Sequence, residues 1–271
     1  RRMQPRDPEW RDIDTVYASF GQVYDIITPI SLIRSIAAVS KGGQMYIPHL
    51  LKEIPAKGKP GDADYLAPVS FQPLDQSRPA IFQMPLRPQR MTKLGLRTLV
   101  YHETVPGHHF QIALEQENTA LPRFRQARAL GGISAMSEGW ALYAEKLASE
   151  SGWYEGDPEG LLGQLSAELW RARRLVVDTG LHAKQWTRQQ AIDYGIEPSE
   201  VDRYVVMPGQ ACSYMIGQLR LLEIRERARE RLGDEFSLKG FHSAVLNTGT
   251  APLELLEKQV EKWVQSVKAG S

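Results

Sequence analysis

From Met91 to the C-terminal end, apolar positions recur at three- and four-residue intervals, the spacing that gives a helix one buried face. The pattern predicts helices over residues 91–104, 108–117, 121–130, 134–151, 159–185, 188–194, 209–232, 237–247 and 252–268. Turn signals separate them: Gly131-Gly132, Gly152, Gly156-Asp157-Pro158, Gly195 and Gly233-Asp234. Thr187 is placed to cap the helix that opens at Arg188. Residues 10–40 also read as helical, with Ile26, Ile27, Ile30, Ile33 and Ile36 close to a helical period and a fresh start at Thr28-Pro29. Between 42 and 88 the texture changes. Ten Pro and Gly residues from Pro48 to Pro88 break up short apolar pieces such as Met45-Tyr46-Ile47 and Ile81-Phe82-Gln83-Met84. This reads as a small antiparallel sheet of edge-type strands. The expected class is mainly α (α+β). A small sheet in the N-terminal third (42–88) leads into a helical body (91–268), within one domain spanning 1–271.

Composition narrows the class. The 271 residues suffice for a sizeable core. The formal net charge of +1 gives no global pull towards nucleic acid. The densest cationic run, Arg225 to Arg231, alternates with glutamate and alanine, as a solvated helix face with internal ion pairs would. No apolar run reaches the ~18 residues that span a bilayer. The expectation is a protein without membrane insertion in this segment, cytoplasmic or periplasmic/secreted. Arg1 as first residue suggests a fragment or processed product. The single cysteine, Cys212, sits in the apolar stretch 211–216 and reads as a small buried hydrophobe.

The chemistry concentrates in Tyr101-His102-Glu103-Thr104-Val105-Pro106-Gly107-His108-His109-Phe110-Gln111. It opens like the H-E-x-x-H motif, in which two histidines on one helical face share a zinc ion and the glutamate acts as general base. Here Pro106 occupies the i+4 place. On a straight helix His108 would lie about 240° round and about 9 Å along from His102, and His109 about 10.5 Å along. Neither would share an ion whose Zn–N bonds are about 2.1 Å. Pro106 forbids the straight helix, however, and Gly107 permits an unusual backbone angle. Val-Pro-Gly is expected to act as a two-residue bulge that returns a histidine to the vacant place. Downstream, Ser137-Glu138-Gly139-Trp140-Ala141-Leu142-Tyr143-Ala144-Glu145 puts Glu138 in the first turns of a helix. It is the candidate third ligand, leaving a fourth position for water. Glu145, two turns on, is a candidate acceptor for a ligand histidine's other N–H.

His-Glu-x-x-Pro-Gly-His-His-x-Gln followed by Glu-Gly-Trp-Ala-Leu-Tyr-Ala-Glu resembles the bacterial domain-of-unknown-function family 885, a likeness covering roughly residue 40 to the end. Asp178-Thr179-Gly180-Leu181-His182, Pro208 to Gly217 and Phe241-His242 extend it. The resemblance implies a helical zincin-like catalytic body, corresponding to the C-terminal half of a longer protein. It favours His108 over His109 as the ligand. It also suggests Tyr214, or less strongly His182, as an oxyanion contact; packing in the core is the ordinary alternative for each, and for His242. Arg173, Arg174 and Arg220 are read as solvated or paired with carboxylates such as Asp178, unless one clamps a substrate carboxylate.

The resulting expectation is a hydrolase holding one zinc ion on His102, His108 and Glu138, with Glu103 as general base and a peptide or small amide as substrate. The alternative is a non-catalytic binding module that keeps a structural or vestigial metal.

Overall fold

Side-chain caps set the starts of three helices in this chain, at Asp157, Thr187 and Ser237. The computed structural model describes residues 69–70, 80–82, 93–128 and 132–270, all within the compact unit Lys59–Ser271. The helices expected within 10–40 lie outside the described residues. So does most of 42–88. What is described there is one short antiparallel ladder, β1 (Val69–Ser70) with β2 (Ile81–Phe82), Val69 opposite Phe82 and Ser70 opposite Ile81. Beyond this two-residue pairing, the small sheet expected over 42–88 is not seen among the described residues.

The rest of the described chain holds ten α-helices, joined by turns and one 3-10 turn at Gly233–Glu235: α1 (Lys93–Glu103), α2 (His108–Glu117), α3 (Arg123–Gln126), α4 (Ser134–Glu150), α5 (Pro158–Ala183), α6 (Arg188–Asp193), α7 (Pro198–Val206), α8 (Ser213–Leu232), α9 (Leu238–Asn247) and α10 (Leu253–Gly270). Asp157 accepts a hydrogen bond from the Gly160 backbone N–H at 2.9 Å, and Pro158 fills the first turn where no N–H is needed. Thr187 and Gln190 form a reciprocal capping box, the role expected of Thr187. Two departures from the periodic pattern are informative. Helix α7 was not expected, although Pro198 at its first turn signals it. It is short, and its two buried residues, Val201 and Tyr204, are too few to establish a period. Helix α8 starts at Ser213 rather than at 209, because Gly209 takes a positive φ of 78° and residues 209–212 form turns.

Two apolar clusters hold the helices together. One joins α4, α8, α9 and α10 through Met136, Trp140, Tyr143, Leu221, Phe241 and Val260, with others. The second joins α5, α6, α7 and the turn before α8 through Val177, Ala191, Val201, Tyr204 and Ala211. Helices α4 and α8 cross unusually closely. A Cβ on Gly217 would stand 2.0 Å from the Ala135 carbonyl oxygen, and one on Gly139 would stand 2.4 Å from the Gly217 Cα. Only hydrogen fits at both positions. That approach sets Glu138, beside Gly139, against Tyr214, one turn before Gly217.

The arginine-rich run on α8 is less uniformly solvated than its alternation suggests. Arg229 and Glu226 form the expected i,i+3 pair at 3.0 Å. Arg227 and Arg231 instead reach across to Glu257 and Glu261 on α10. Arg225 is buried, bonding Glu150 at 2.7 and 3.1 Å and the Tyr143 hydroxyl at 3.2 Å. That hydroxyl also hydrogen-bonds His242 Nε2, 2.8 Å away. Burial and the Arg225 charge push the His242 imidazole down to about 4.

This packing generates three stability predictions. Gly217→Ala should lower the urea midpoint, since forcing the helices apart costs about 1–3 kcal/mol and outweighs the ~1 kcal/mol gained in helix propensity. Gly95→Ala on α1, where an added Cβ meets nothing within 4 Å, should raise it. For His242, the folded value lies below the unfolded value near 6.5, so the unfolded chain binds more protons. Its contribution is therefore intact above pH 6.5 and is lost as pH falls towards 4. Thermal melts across that window should show the wild type losing more stability than His242→Gln. Parallel curves would remove His242 from the account.

Candidate metal centre

The site is assembled where α1 ends and α2 begins. Helix α1 stops at Glu103; the chain bends through Thr104–Gly107, and α2 opens at His108. The bend is a full break between two helices, not a bulge within one. His108 comes from the first residue of a new helix, which corrects the expectation that it would refill the i+4 place of a continuing one. Pro106 accounts for the break, since it lacks an N–H and its ring excludes the helical carbonyl four residues earlier. Two contacts fix the shape of the bend. The buried Trp140 indole donates to the Pro106 carbonyl at 2.8 Å. Gly107 packs so closely on the end of α1 that a Cβ would lie 1.9 Å from the His102 carbonyl oxygen. Burying Trp140, which is 1% exposed, contributes up to about 5 kcal/mol, and that energy anchors the carbonyl at the tip of the bend.

The result is a convergence of His102, His108 and Glu138, with one potential donor atom from each lying within 4.8 Å of the others. Glu138 Oε2 is 3.5 Å from His102 Nε2 and 3.2 Å from His108 Nε2. The two imidazoles meet edge to face, with centroids 4.8 Å apart. Ligands at 2.0–2.1 Å on a tetrahedral zinc are about 3.3–3.4 Å apart, close to the two glutamate–histidine separations; the two imidazole nitrogens lie within 4.8 Å of each other. The chemistry of the donor set also fits, with two imidazoles, one carboxylate and a fourth direction to spare.

Behind the cluster, Glu145 is fully buried. Its Oε1 accepts from His102 Nδ1 at 2.7 Å, and its other oxygen accepts from the Thr98 hydroxyl. This bond fixes the imidazole so that Nε2 faces Glu138. Arg171 Nη2, 3.5 Å from Glu145, adds a compensating charge. Burial works against a charged His102, but its hydrogen bonds to Glu138 and Glu145 prevail and lift it to about 9. Burial likewise disfavours a charged Glu138, yet the two histidines hold it well below the usual carboxylate range. Glu103 shows the opposite balance. Burial raises it, and the nearby charges of His102 and His108 only partly offset that.

Tyr214 stacks on His102, with centroids 6.2 Å apart at 19°. Its phenol is pushed up by burial and by the Glu138 charge. His109 is half-buried and does not join the convergence. His182 does not either. It is exposed near the end of α5, with Nε2 3.0 Å from the Tyr204 carbonyl oxygen, which gives it no place beside Tyr214. His242 belongs to the packed group with Tyr143 and Trp140. Cys212 is partly buried, its thiol pushed up to about 11 by burial and Asp178, so it is not an activated nucleophile.

Sequence reasoning missed several supporting residues. Gln210 donates to Glu138 Oε1 at 3.4 Å and approaches the Tyr214 hydroxyl at 3.5 Å, while Arg203 donates to its amide oxygen at 2.6 Å. Asp178 pairs with none of the arginines proposed for it; it accepts from the Gly209 N–H at 3.0 Å and so sets the turn that presents Gln210. Thr98 could have been found from its i−4 spacing to His102, which puts both on one face of α1. Nothing in the sequence pairs Gln210 with Glu138, 72 residues away.

Comparison with known proteins places these residues in a lineage. No curated protein matches the chain. Among solved structures, a candidate lipoprotein from Colwellia psychrerythraea is 46% identical with a TM-score of 0.70, over 75% of this chain and 36% of that one. A candidate lipoprotein of unknown function from Shewanella oneidensis is 26% identical with a TM-score of 0.59, over 70% and 38%. The chain thus spans little more than a third of the length of these relatives. Residues 44–260, which include every residue of the convergence, match the family of bacterial proteins of unknown function, DUF885. The chain belongs to that family.

Proposed function

We propose that this chain carries the catalytic centre of a zinc-dependent hydrolase, most simply a metallopeptidase acting on peptide or small amide bonds. The single observation that supports this reading best is the convergence of His102, His108 and Glu138 at separations suited to one tetrahedral ion, with the buried Glu103 beside them. A zinc ion held there would supply Lewis acidity, polarising a substrate carbonyl and lowering the pKa of water to about 7. Glu103, buried and next to His102 in the chain, takes the proton of the attacking water and returns it to the leaving amine. The Tyr214 phenol donates to the developing oxyanion. Glu145 holds His102 in register through Nδ1. His182 is left out of this scheme. A purely structural metal would need no base beside it, so the placement of Glu103 favours catalysis over the non-catalytic alternative.

In the full-length gene product, elemental analysis should find about one zinc per chain, and Glu138→Gln should lose it. Glu103→Gln should keep the zinc while kcat on a cleaved peptide falls on the order of 10²- to 10⁴-fold. A wild type that holds no stoichiometric zinc contradicts the metal assignment. A Glu103→Gln variant as active as wild type contradicts the general-base assignment.

A further inference from the structure

The two oxygens of Glu138 have different neighbours. Oε2 is the one that meets the histidines, 3.5 Å from His102 Nε2 and 3.2 Å from His108 Nε2. Oε1 is paired instead with the side-chain amide of Gln210, whose Nε2 lies 3.4 Å away. Gln210 stands in the turn that precedes α8. Its Nε2 has two further acceptors in reach, the Ser134 hydroxyl at 3.4 Å and the Tyr214 hydroxyl at 3.5 Å.

An amide side chain can present either its carbonyl or its NH2 to a given neighbour, and its hydrogen bonds decide which. Here a cation decides. Arg203 Nη1 donates to the Gln210 carbonyl oxygen at 2.6 Å, and a guanidinium has no acceptor to offer an NH2. The NH2 therefore faces Glu138. Arg203 is itself tied to Glu200, by Nη2 at 2.8 Å and Nε at 3.4 Å. Glu200 is also bonded by Arg174 at 3.0 Å, a buried guanidinium 3.7 Å from the Trp170 ring centroid and 4.7 Å from that of Tyr214. The backbone is fixed as well. Gly209, at a φ of 78°, donates its N–H to both oxygens of Asp178, at 3.0 and 3.1 Å. Two amide hydrogens thus meet three acceptors. Glu138 is the ionised one, and a charged acceptor makes the stronger bond. One N–H is committed to Oε1, and the second is left to the two hydroxyls.

We propose that Gln210 is a positioning residue of the metal centre: by holding Glu138 Oε1 it leaves Oε2 as the single carboxylate oxygen offered to an ion, which keeps a fourth position open to water. This rests on the hydrolase reading above and adds to it the residue that sets the coordination number. A carboxylate can grip a cation with both oxygens, and two imidazoles with two carboxylate oxygens would fill a tetrahedral zinc. For that to happen here, Oε1 would have to leave Gln210, and the amide would lose its ionised acceptor. Arg203 acts one step further back, by fixing which way the amide points. Neither residue transfers a proton or touches the substrate; both act on the geometry of Glu138.

The test loads the full-length protein with cobalt(II), whose visible absorption is intense in a four-coordinate site and weak at higher coordination number. Wild type should give the four-coordinate spectrum. Gln210→Met keeps the length of the side chain and removes both N–H donors. It should lose most of that intensity as Oε1 moves onto the ion, and chelator competition should show the metal held about 10- to 100-fold more weakly. Arg203→Met should cause a smaller change of the same kind, and none when added to Gln210→Met. A role confined to packing would reduce the amount of metal bound without altering the spectrum of the bound fraction. An unchanged spectrum in Gln210→Met, whatever its affinity, therefore overturns the positioning role while leaving the metal centre standing. A wild type already at higher coordination number overturns it too, and that measurement needs no variant to fold. A wild type that takes up neither cobalt nor zinc overturns the metal assignment, and the positioning role with it.

Discussion

The site depends on one chain reversal, the four residues from Thr104 to Gly107, held in place from both sides. Proline ends α1, glycine lets the backbone lie against the last turn it has just left, and the Trp140 indole takes hold of the proline carbonyl. Without that reversal His102 and His108 would sit about 9 Å apart along one axis. With it, their rings touch edge to face. Because Trp140 and Glu138 stand on the same helix, the clamp on the bend and the carboxylate that meets both histidines move as one body. The glycine crossing of α4 with α8 then brings Tyr214 up behind His102. A few backbone contacts where only hydrogen fits thus convert a helical body into a site.

Burying so much charge is expensive, and the molecule offsets the cost by pairing. Glu145 alone is contacted by His102, Thr98 and Arg171. Glu138 lies between two imidazoles that keep it ionised. Such groups tolerate loss of a partner poorly, since the charge left behind is still buried. The exceptions stand out against this thorough pairing. Glu103 is raised rather than lowered, and Arg171 Nε and Arg174 Nε and Nη1 are buried without a hydrogen-bond partner.

Much of this was legible in the sequence, and the limits have physical causes. Helix positions were read well because period, caps and glycine stops agree with one another from 134 to 193. Helix α7 escaped because two buried positions cannot define a period. The start of α8 was misplaced because Gly209 looks helical in pattern yet adopts a backbone angle that a helix cannot use. The three converging residues were nameable in advance, since donor type and local order are sequence properties. The way they meet was not: a bulge and a complete break look identical at Val-Pro-Gly. His182 was drawn in by its neighbourhood in the motif, but it lies near the exposed end of a 26-residue helix, well beyond the turns that face Tyr214. Arg173, Arg174 and Arg220 were indistinguishable as residue types. Only packing shows that one of them is buried between aromatic rings with donors to spare.

The most direct test of the central claim is X-ray absorption at the zinc edge on the zinc-loaded full-length protein, combined with anomalous diffraction from a crystal of it. The account predicts one ion, bound by Nε2 of His102, Nε2 of His108 and a Glu138 oxygen at about 2.0–2.1 Å, with one further light-atom ligand. An ion held by His109, an ion elsewhere in the chain, or no ion in a fully folded and zinc-saturated protein would contradict it.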